Sequence, residues 1–152
     1  QSVPTEVLKL RTFDAYIKPQ IESGNFAVLN ITEEDVEREG GYPFPRQRLA
    51  DIHNDILANG ALGVGWVISF PQPDRMGGDK AFSEALGKGG SVLAMFEDGK
   101  GNFPKPTGTV VKGDDIGGIM STGVKENLNT LTTNTLQGIA IAPTEVDQLV
   151  RR

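Results

Sequence analysis

Residues 46–70 read RQRLADIHNDILANGALGVGWVISF, a helix pattern that runs directly into a strand pattern. In the first half, apolar residues recur at the spacing of one helix face. These residues are Leu49, Ile52, Ile56 and Leu57. This predicts a helix over residues 46–58, and the glycine that soon follows is typical of a helix end. Residues 62–70 are nearly continuous in apolar character, which predicts a buried strand. Gly63 and Gly65 within it predict a close approach of another backbone.

The segments on either side of this stretch continue the alternation of helix and strand patterns. Downstream, Asp79 is expected to cap a further helix that runs through Leu86, and residues 91–96 predict a further strand. Upstream, residues 26–31 form a short apolar run, which is typical of a strand covered on both faces. Strand, helix, strand, helix, strand is the order of parallel βαβ units. We therefore predict a single α/β domain with a mixed, mainly parallel sheet flanked by helices.

Weaker patterns predict elements near both ends of the chain. Apolar residues at helical spacing predict an amphipathic helix over residues 5–18. Thr32 resembles the N-cap of a short helix that ends at a pair of glycines. The remaining predictions are a turn or loop tip at residues 98–102, an edge strand at residues 107–112, loop over most of residues 113–137, and a strand at residues 138–142.

Composition excludes several classes of function. The 152 residues suffice for one globular core, and 15 Lys and Arg against 20 Asp and Glu give a net charge of −5. That balance argues against a nucleic-acid surface, which needs clustered positive charge. Cysteine is absent, which excludes thiolate zinc sites, thiol catalysis and disulfides. The chain starts without Met, so we expect one excised domain over residues 1–152, with truncation at its C-terminus as a further expectation.

The sequence contains no recognisable catalytic motif. No serine stands in a G-x-S-x-G context, and the glycine clusters match neither a dinucleotide nor a P-loop pattern. The loop aspartates match no calcium-binding spacing. His53 is the only histidine, and we interpret it as a helix-border residue bonded to a carboxylate such as Asp51 or Asp55. We therefore predict no catalytic residue, no metal and no cofactor.

The turn Pro-Phe-Pro-Arg that ends at Arg46 is the most specific local pattern. Its prolines restrict the chain to extended conformations, so we expect Tyr42 and Phe44 to share one buried face. Arg46 lies at a helix start, where the helix dipole disfavours a cation. Two explanations stay open for it, an ion pair with Glu33 or Glu34, which we favour, and a ligand.

Several stretches of the chain resemble the CHASE domain of type two, the cyclase/histidine-kinase associated sensory extracellular domain. The stretches are EVLKLRTFD at residues 6–14, VLNITE at 28–33, YPFPR at 42–46, NGA at 59–61, GWVISFPQPDR at 65–75 and DQLVRR at 147–152. The family commonly has acidic residues where this chain has Asn30, Thr32 and Val67, and Gln72 replaces its usual Glu.

The resemblance implies a sensor domain outside the cytoplasmic membrane that is not itself an enzyme. It implies one membrane helix before the chain and several after it. Beyond those helices the family carries an adenylate or diguanylate cyclase, a histidine kinase or a Ser/Thr kinase. Membrane attachment is therefore expected through segments that flank this chain.

A ligand site is expected within the domain. Its expected residues are Arg46, Glu33, Gln72 and Asp74. The expected partner is an unidentified small molecule or protein, with a homodimer as a further expectation, and nucleic acid is not expected. Two rival functions stay open. One is a dimerisation or assembly module that senses nothing, and the other, less favoured, is a small hydrolase.

Overall fold

The structure of this chain is a computed structural model that describes residues 24–103 and 122–140. Its elements in chain order are α1 Glu33–Arg38, α2 Arg46–Ala58, β1 Gly63–Trp66, α3 Asp79–Leu86, β2 Gly90–Asn102, β3 Val124–Lys125, α4 Asn129–Thr132 and β4 Leu136–Ile139. Residues 33–141 group into one compact unit, and residues 24–32 belong to a second unit. The helix predicted at 46–58 is confirmed with its bounds. The helix that Asp79 was expected to cap is also confirmed, but Asp79 is its first residue and Gly78 occupies the N-cap position.

Strand β2 is the centre of a four-stranded sheet. Its first residues pair in parallel with β1, where Trp66 lies opposite Leu93. Residues 92–95 of β2 also pair in parallel with β4. Further along, β2 pairs antiparallel with β3, where Phe96 lies opposite Lys125. The four strands thus form a mixed sheet around one long strand.

The predicted α/β class and mixed sheet are confirmed, but a mainly parallel sheet is not supported. β2 continues through residues 98–102, which we interpreted as a turn, and this part of the strand lies beside antiparallel β3. Glycine, aspartate and asparagine disfavour strands only weakly when a neighbour offers backbone hydrogen bonds. The composition of residues 98–102 therefore did not reveal their strand conformation.

Helices α2 and α3 pack with the sheet around one apolar core. Its buried residues are Phe44, Leu49, Ala50, Trp66, Phe70, Phe82, Ala85, Leu86, Leu93 and Leu131. Phe82 is fully buried, and its ring meets Trp66 and Phe70 edge to face with centroid separations of 5.4 and 5.3 Å. Aromatic rings favour this geometry because the positive edge of one ring meets the negative face of another. Phe82 therefore packs α3 against β1 and against the segment that follows β1.

The close backbone approach predicted in β1 occurs at one of its two glycines. A Cβ atom on Gly63 would lie 2.5 Å from the carbonyl oxygen of Gly90, which is closer than real side chains approach. The prediction is wrong at Gly65. Apart from Gly65 and its two chain neighbours, no atom of the described residues lies within 4 Å of the position that a Cβ atom would take there. Only the first glycine is therefore required by the pairing of β1 with β2.

The strand predicted at residues 26–31 is wrong. This segment has no regular secondary structure, and Phe26 and Val28 are 92% and 84% exposed. An apolar run becomes a strand only where another strand satisfies its backbone groups. The composition of the apolar run itself does not show whether such a partner strand exists.

The loop predicted over most of residues 113–137 contains regular structure in its described part. β3, α4 and the first residues of β4 lie within it. Elements of two to four residues are too short to establish a period, so the pattern gave no signal for them. The helix predicted at residues 5–18 and the edge strand predicted at 107–112 lie outside the described residues. Within residues 24–103 and 122–140, no helix has the length and apolar character needed to span a membrane.

Candidate functional site

A bend at residues 41–43 connects α1 to the segment before α2. The peptide bond between Tyr42 and Pro43 is cis. Phe44 is 8% exposed and belongs to the core, whereas Tyr42 is 71% exposed. The prediction that the two aromatic rings share one buried face is therefore wrong. It assumed an extended chain through the prolines, whereas the chain bends here.

Arg46 is the first residue of α2, and its side chain is only 9% exposed. Its guanidinium donates hydrogen bonds to the carboxylate of Asp79 and to the backbone carbonyl of Gln72. It also lies over the ring of Phe70, 5.2 Å from the centroid. A buried charge needs such partners because its removal from water is costly. Arg46 is thus held by the protein itself.

The ion pair that we favoured for Arg46 exists, but its predicted partner is wrong. Glu34 pairs with Arg38 inside α1 at 3.2 Å, and Glu33 is exposed at the start of that helix. The partner is Asp79, 33 positions after Arg46. Closeness in sequence favoured the glutamates, whereas the fold places the start of α3 beside the start of α2.

Asp74 caps α2 from a distant part of the chain. Its Oδ2 accepts hydrogen bonds from the backbone N–H of Arg46 at 3.0 Å and of Gly78 at 3.1 Å, and its Oδ1 accepts one from Met76 at 3.0 Å. Pro45, at the N-cap position, makes no side-chain cap. The first N–H groups of a helix need an external acceptor. Asp74, 28 positions away from Arg46, supplies it.

These contacts join the N-termini of two helices. We use the name Arg46 cluster for Arg46, Gln72, Asp74, Gly78 and Asp79. Asp79 binds the Arg46 side chain through Oδ1, and its Oδ2 accepts the backbone N–H of Asp74 at 3.0 Å. A Cβ atom on Gly78 would overlap the backbone nitrogen of Gln47, so this loop lies directly against α2. Two carboxylates at helix N-termini also offset the unfavourable position of the arginine.

A groove opens beside the Arg46 cluster and has a volume of about 970 Å³. Its apolar lining includes Tyr42, Phe44, Ile68, Phe70, Pro71 and Met76. Three of the four residues predicted at a ligand site, Arg46, Gln72 and Asp74, border this groove. Glu33 is not among its lining residues. Ligand binding at these residues stays a prediction.

The sequence reasoning gave no site role to Asp79, Gly78 or Phe70. Each acts through a contact with Arg46 or with the start of α2 that is remote in sequence. The one available signal was a pair of aspartates, Asp74 and Asp79, around a glycine just before a helix. In the part of the chain that the structure describes, no group of three or more His, Asp or Glu side chains is arranged to hold a metal ion.

His53 lies in the core, so the predicted helix-border position with a carboxylate partner is wrong. The residue is fully buried, and its Nδ1 accepts a hydrogen bond from the indole Nε1 of Trp66 at 3.2 Å. Burial lowers the pKa of His53; the backbone of Lys88 acts to raise it, and the charge of Lys88 lowers it further. Its position four residues after Leu49 placed it near the buried stripe, but only the packing shows that it lies inside.

Replacing Asp74 by alanine is expected to lower the free energy of unfolding by about 0.5–2 kcal/mol, the usual cost of a lost helix cap. Burial acts to raise the pKa of Asp74, but hydrogen bonds from Met76, Arg46 and Gly78 and the charge of Arg46 lower it overall. The carboxylate therefore contributes its full stability above pH ~4, and this contribution is lost as the pH falls through the lowered pKa.

Urea unfolding at pH ~7 and pH ~3 measures this effect, because the difference between parent and variant should shrink at the lower pH. Asp55→Ala is the control, since Asp55 lies exposed on the same helix. It should leave stability unchanged or slightly higher, because alanine favours helices. Equal losses in the two variants would show that Asp74 is not a cap.

The similarity of this chain to a known family extends over its whole length. A family model described as the CHASE2 domain matches residues 1–152. No curated protein and no solved structure gives a significant match. The matched region includes the turn that ends at Arg46 and the segment that carries Asp74, the two parts joined in the Arg46 cluster. The chain belongs to the CHASE2 family, the extracellular sensory domains of signalling proteins.

Proposed function

We propose that this chain is the input domain of a transmembrane receptor whose output lies in the cytoplasm. The output is an adenylate or diguanylate cyclase, a histidine kinase or a Ser/Thr kinase. The observation that carries this proposal is the CHASE2 match over residues 1–152. A sensory domain outside the cell acts by biasing another module of the same protein, so a membrane-crossing connection is part of the proposal.

A sensor needs two arrangements that its stimulus stabilises to different extents. The Arg46 cluster is suited to couple such arrangements, because it holds the start of α2, the start of α3 and the segment between β1 and α3. Displacement of that segment would disturb the hydrogen bonds of Asp74 and of Asp79 together. Movement of one helix would thus be passed to the other.

We assign ligand contact to the groove and a supporting role to the cluster at its wall. Arg46 and Asp74 already make their hydrogen bonds within the protein, so a ligand would have to displace an internal partner to reach them. Tyr42, Gln72 and Met76 line the groove with exposed side chains. A small molecule or a peptide segment of a partner protein would contact these residues first.

Cysteine labelling of the full-length parent protein in intact cells tests the proposed location. The chain has no cysteine, so any labelling that the variant gains over the unsubstituted parent protein comes from the introduced thiol. Lys80→Cys places that thiol on α3, where the side chain of Lys80 is 89% exposed. A membrane-impermeant maleimide added outside the cells is expected to label this variant.

Ser83→Cys is the matched control on the same helix, because Ser83 is only 5% exposed. Its thiol should react only after denaturation. Labelling of the Lys80 variant that requires cell lysis would place the chain inside the cell and contradict the proposed function.

A further inference from the structure

We propose that the contact between His53 and Trp66 is an acid-sensitive switch, so that acidity outside the cell is a stimulus that this domain detects. The sensory part of this inference rests on the proposed function. The switch itself is a property of the core and stands on the geometry of two side chains.

The hydrogen bond between these residues requires a neutral histidine. The indole of Trp66 is a donor only, and its Nε1 donates to Nδ1 of His53 at 3.2 Å. The two ring planes are inclined by 19°, and their centroids are 6.3 Å apart. Nδ1 can accept this bond only when it carries no proton. Protonation would therefore place two N–H donors against each other.

The surroundings of His53 compensate a positive charge only through the backbone of Lys88, and burial outweighs that effect. The residue has no solvent exposure, and its Nε2 has no hydrogen-bond partner among the described residues. The charge that acts on the ring is that of Lys88, which is also positive. The ammonium group of Lys88 lies 3.3 Å from the side-chain oxygen of Asn54, on the same helix as His53.

Acidic groups on the adjacent elements are directed elsewhere. Asp51 and Asp55 flank His53 on α2, but both are exposed. On α3, Glu84 lies 4.0 Å from Lys80 on the exposed surface, and Asp79 pairs with Arg46. Strand β1 contains no ionisable side chain. A protonated ring would therefore have to leave its position to gain water or a counter-ion.

The direction of the pH effect follows from burial. Removal from water lowers the pKa of His53 in the folded chain, against the opposing effect of the Lys88 backbone. The native arrangement is thus fully favoured above pH ~6.5, the usual pKa of histidine. It loses stability as the pH falls from there towards the lowered pKa, because any state with an exposed ring binds a proton more readily.

Release of His53 would act on the Arg46 cluster through one helix. His53 and Arg46 both lie on α2, seven positions apart, so they share a face about two turns from each other. A shift of α2 away from Trp66 would move the cation that pairs with Asp79. Acid would thereby change the contact between α2 and α3.

The full chain contains one tryptophan and one histidine, so two spectroscopic signals report this contact without ambiguity. Titration from pH ~8 to pH ~5 spans the range in which histidine changes charge. Trp66 emission is expected to shift to longer wavelength in one reversible transition with a midpoint below pH ~6.5. The imidazole proton resonance of His53 should titrate with the same midpoint, and the helical far-UV signal should be retained.

Two variants test the assignment. His53→Gln should lose the transition, because an amide does not titrate but its oxygen can still accept the indole N–H. Lys88→Gln should move the midpoint to higher pH, because it removes a positive charge that opposes protonation. If the His53 variant does not fold, the pH titrations of Trp66 emission and of the His53 imidazole resonance in the parent chain still test the switch.

Unchanged Trp66 emission across this range, or loss of the helical signal at the same midpoint, would overturn the switch. Surface labelling of the Lys80→Cys variant separates this failure from failure of the proposed function. If the Trp66 transition is missing but the Lys80→Cys variant is labelled from outside the cells, only the acid switch is contradicted. If the transition is present but the variant is labelled only after lysis, the acid switch stands and the sensory role is contradicted.

Discussion

Replacing Arg46 by methionine is expected to lower the free energy of unfolding by about 3 kcal/mol, near the lower end of the range for breaking a buried ion pair. The change leaves Asp79 with no cation, and its side chain is only 19% exposed. The carbonyl of Gln72 also loses its donor, and Phe70 loses the guanidinium above its ring. Methionine fills part of the volume, so the loss reports mainly the charge and its hydrogen bonds.

Arg48→Met is the matched control on the same helix. Arg48 also forms an ion pair, with Glu39 at 3.1 Å, but its side chain is 45% exposed. Removing it should cost at most about 1 kcal/mol. Arg46→Lys should fall between these two, because lysine keeps the charge but not the planar fork. Urea unfolding followed by circular dichroism measures all three, and equal midpoints for Arg46→Met and Arg48→Met would contradict a buried pair.

Replacing Phe82 by alanine is expected to cost about 3–5 kcal/mol, a large part of the stability of a typical single domain. Phe82 has no exposed surface and contacts both Trp66 and Phe70 edge to face. Its removal would leave a cavity between α3 and the sheet. It would also loosen Trp66, the partner of His53. The expected result is a chain that is largely unfolded or melts far below the parent.

Phe103→Ala provides the control, because Phe103 is 72% exposed. Its stability should stay within about 0.5 kcal/mol of the parent. Phe82→Leu should recover part of the loss, since leucine refills most of the cavity. Thermal unfolding by far-UV circular dichroism compares the variants without relying on Trp66 fluorescence. A Phe82→Ala variant as stable as the Phe103 control would show that the core does not depend on this ring.

Local sequence patterns were sufficient to predict the two main helices, α2 and α3. The bounds of α2 agree with the sequence prediction and those of α3 agree to within one residue, because apolar periodicity and flanking glycines act within a few residues of each element. The same reasoning marked Arg46 as unusual, since a cation at a helix start is a local conflict with the helix dipole. The CHASE2 resemblance was also readable from short motifs and is confirmed over the whole chain.

Contacts between segments that are distant in sequence could not be predicted from local patterns. Asp79 and Asp74 reach Arg46 across 33 and 28 positions, and no local pattern distinguishes them from Glu33 and Glu34. The strand predicted at residues 26–31 failed for a related reason, because a strand depends on a partner that its own composition does not reveal.

His53 shows most clearly what each level determines. The sequence by itself determined that a single histidine lies on α2 close to its apolar stripe. Only the tertiary structure decided that this ring is fully buried and accepts the indole N–H of Trp66 instead of meeting a carboxylate. The physical reason is that helix periodicity specifies the face of a helix, whereas burial and hydrogen-bond partners depend on the element packed against that face.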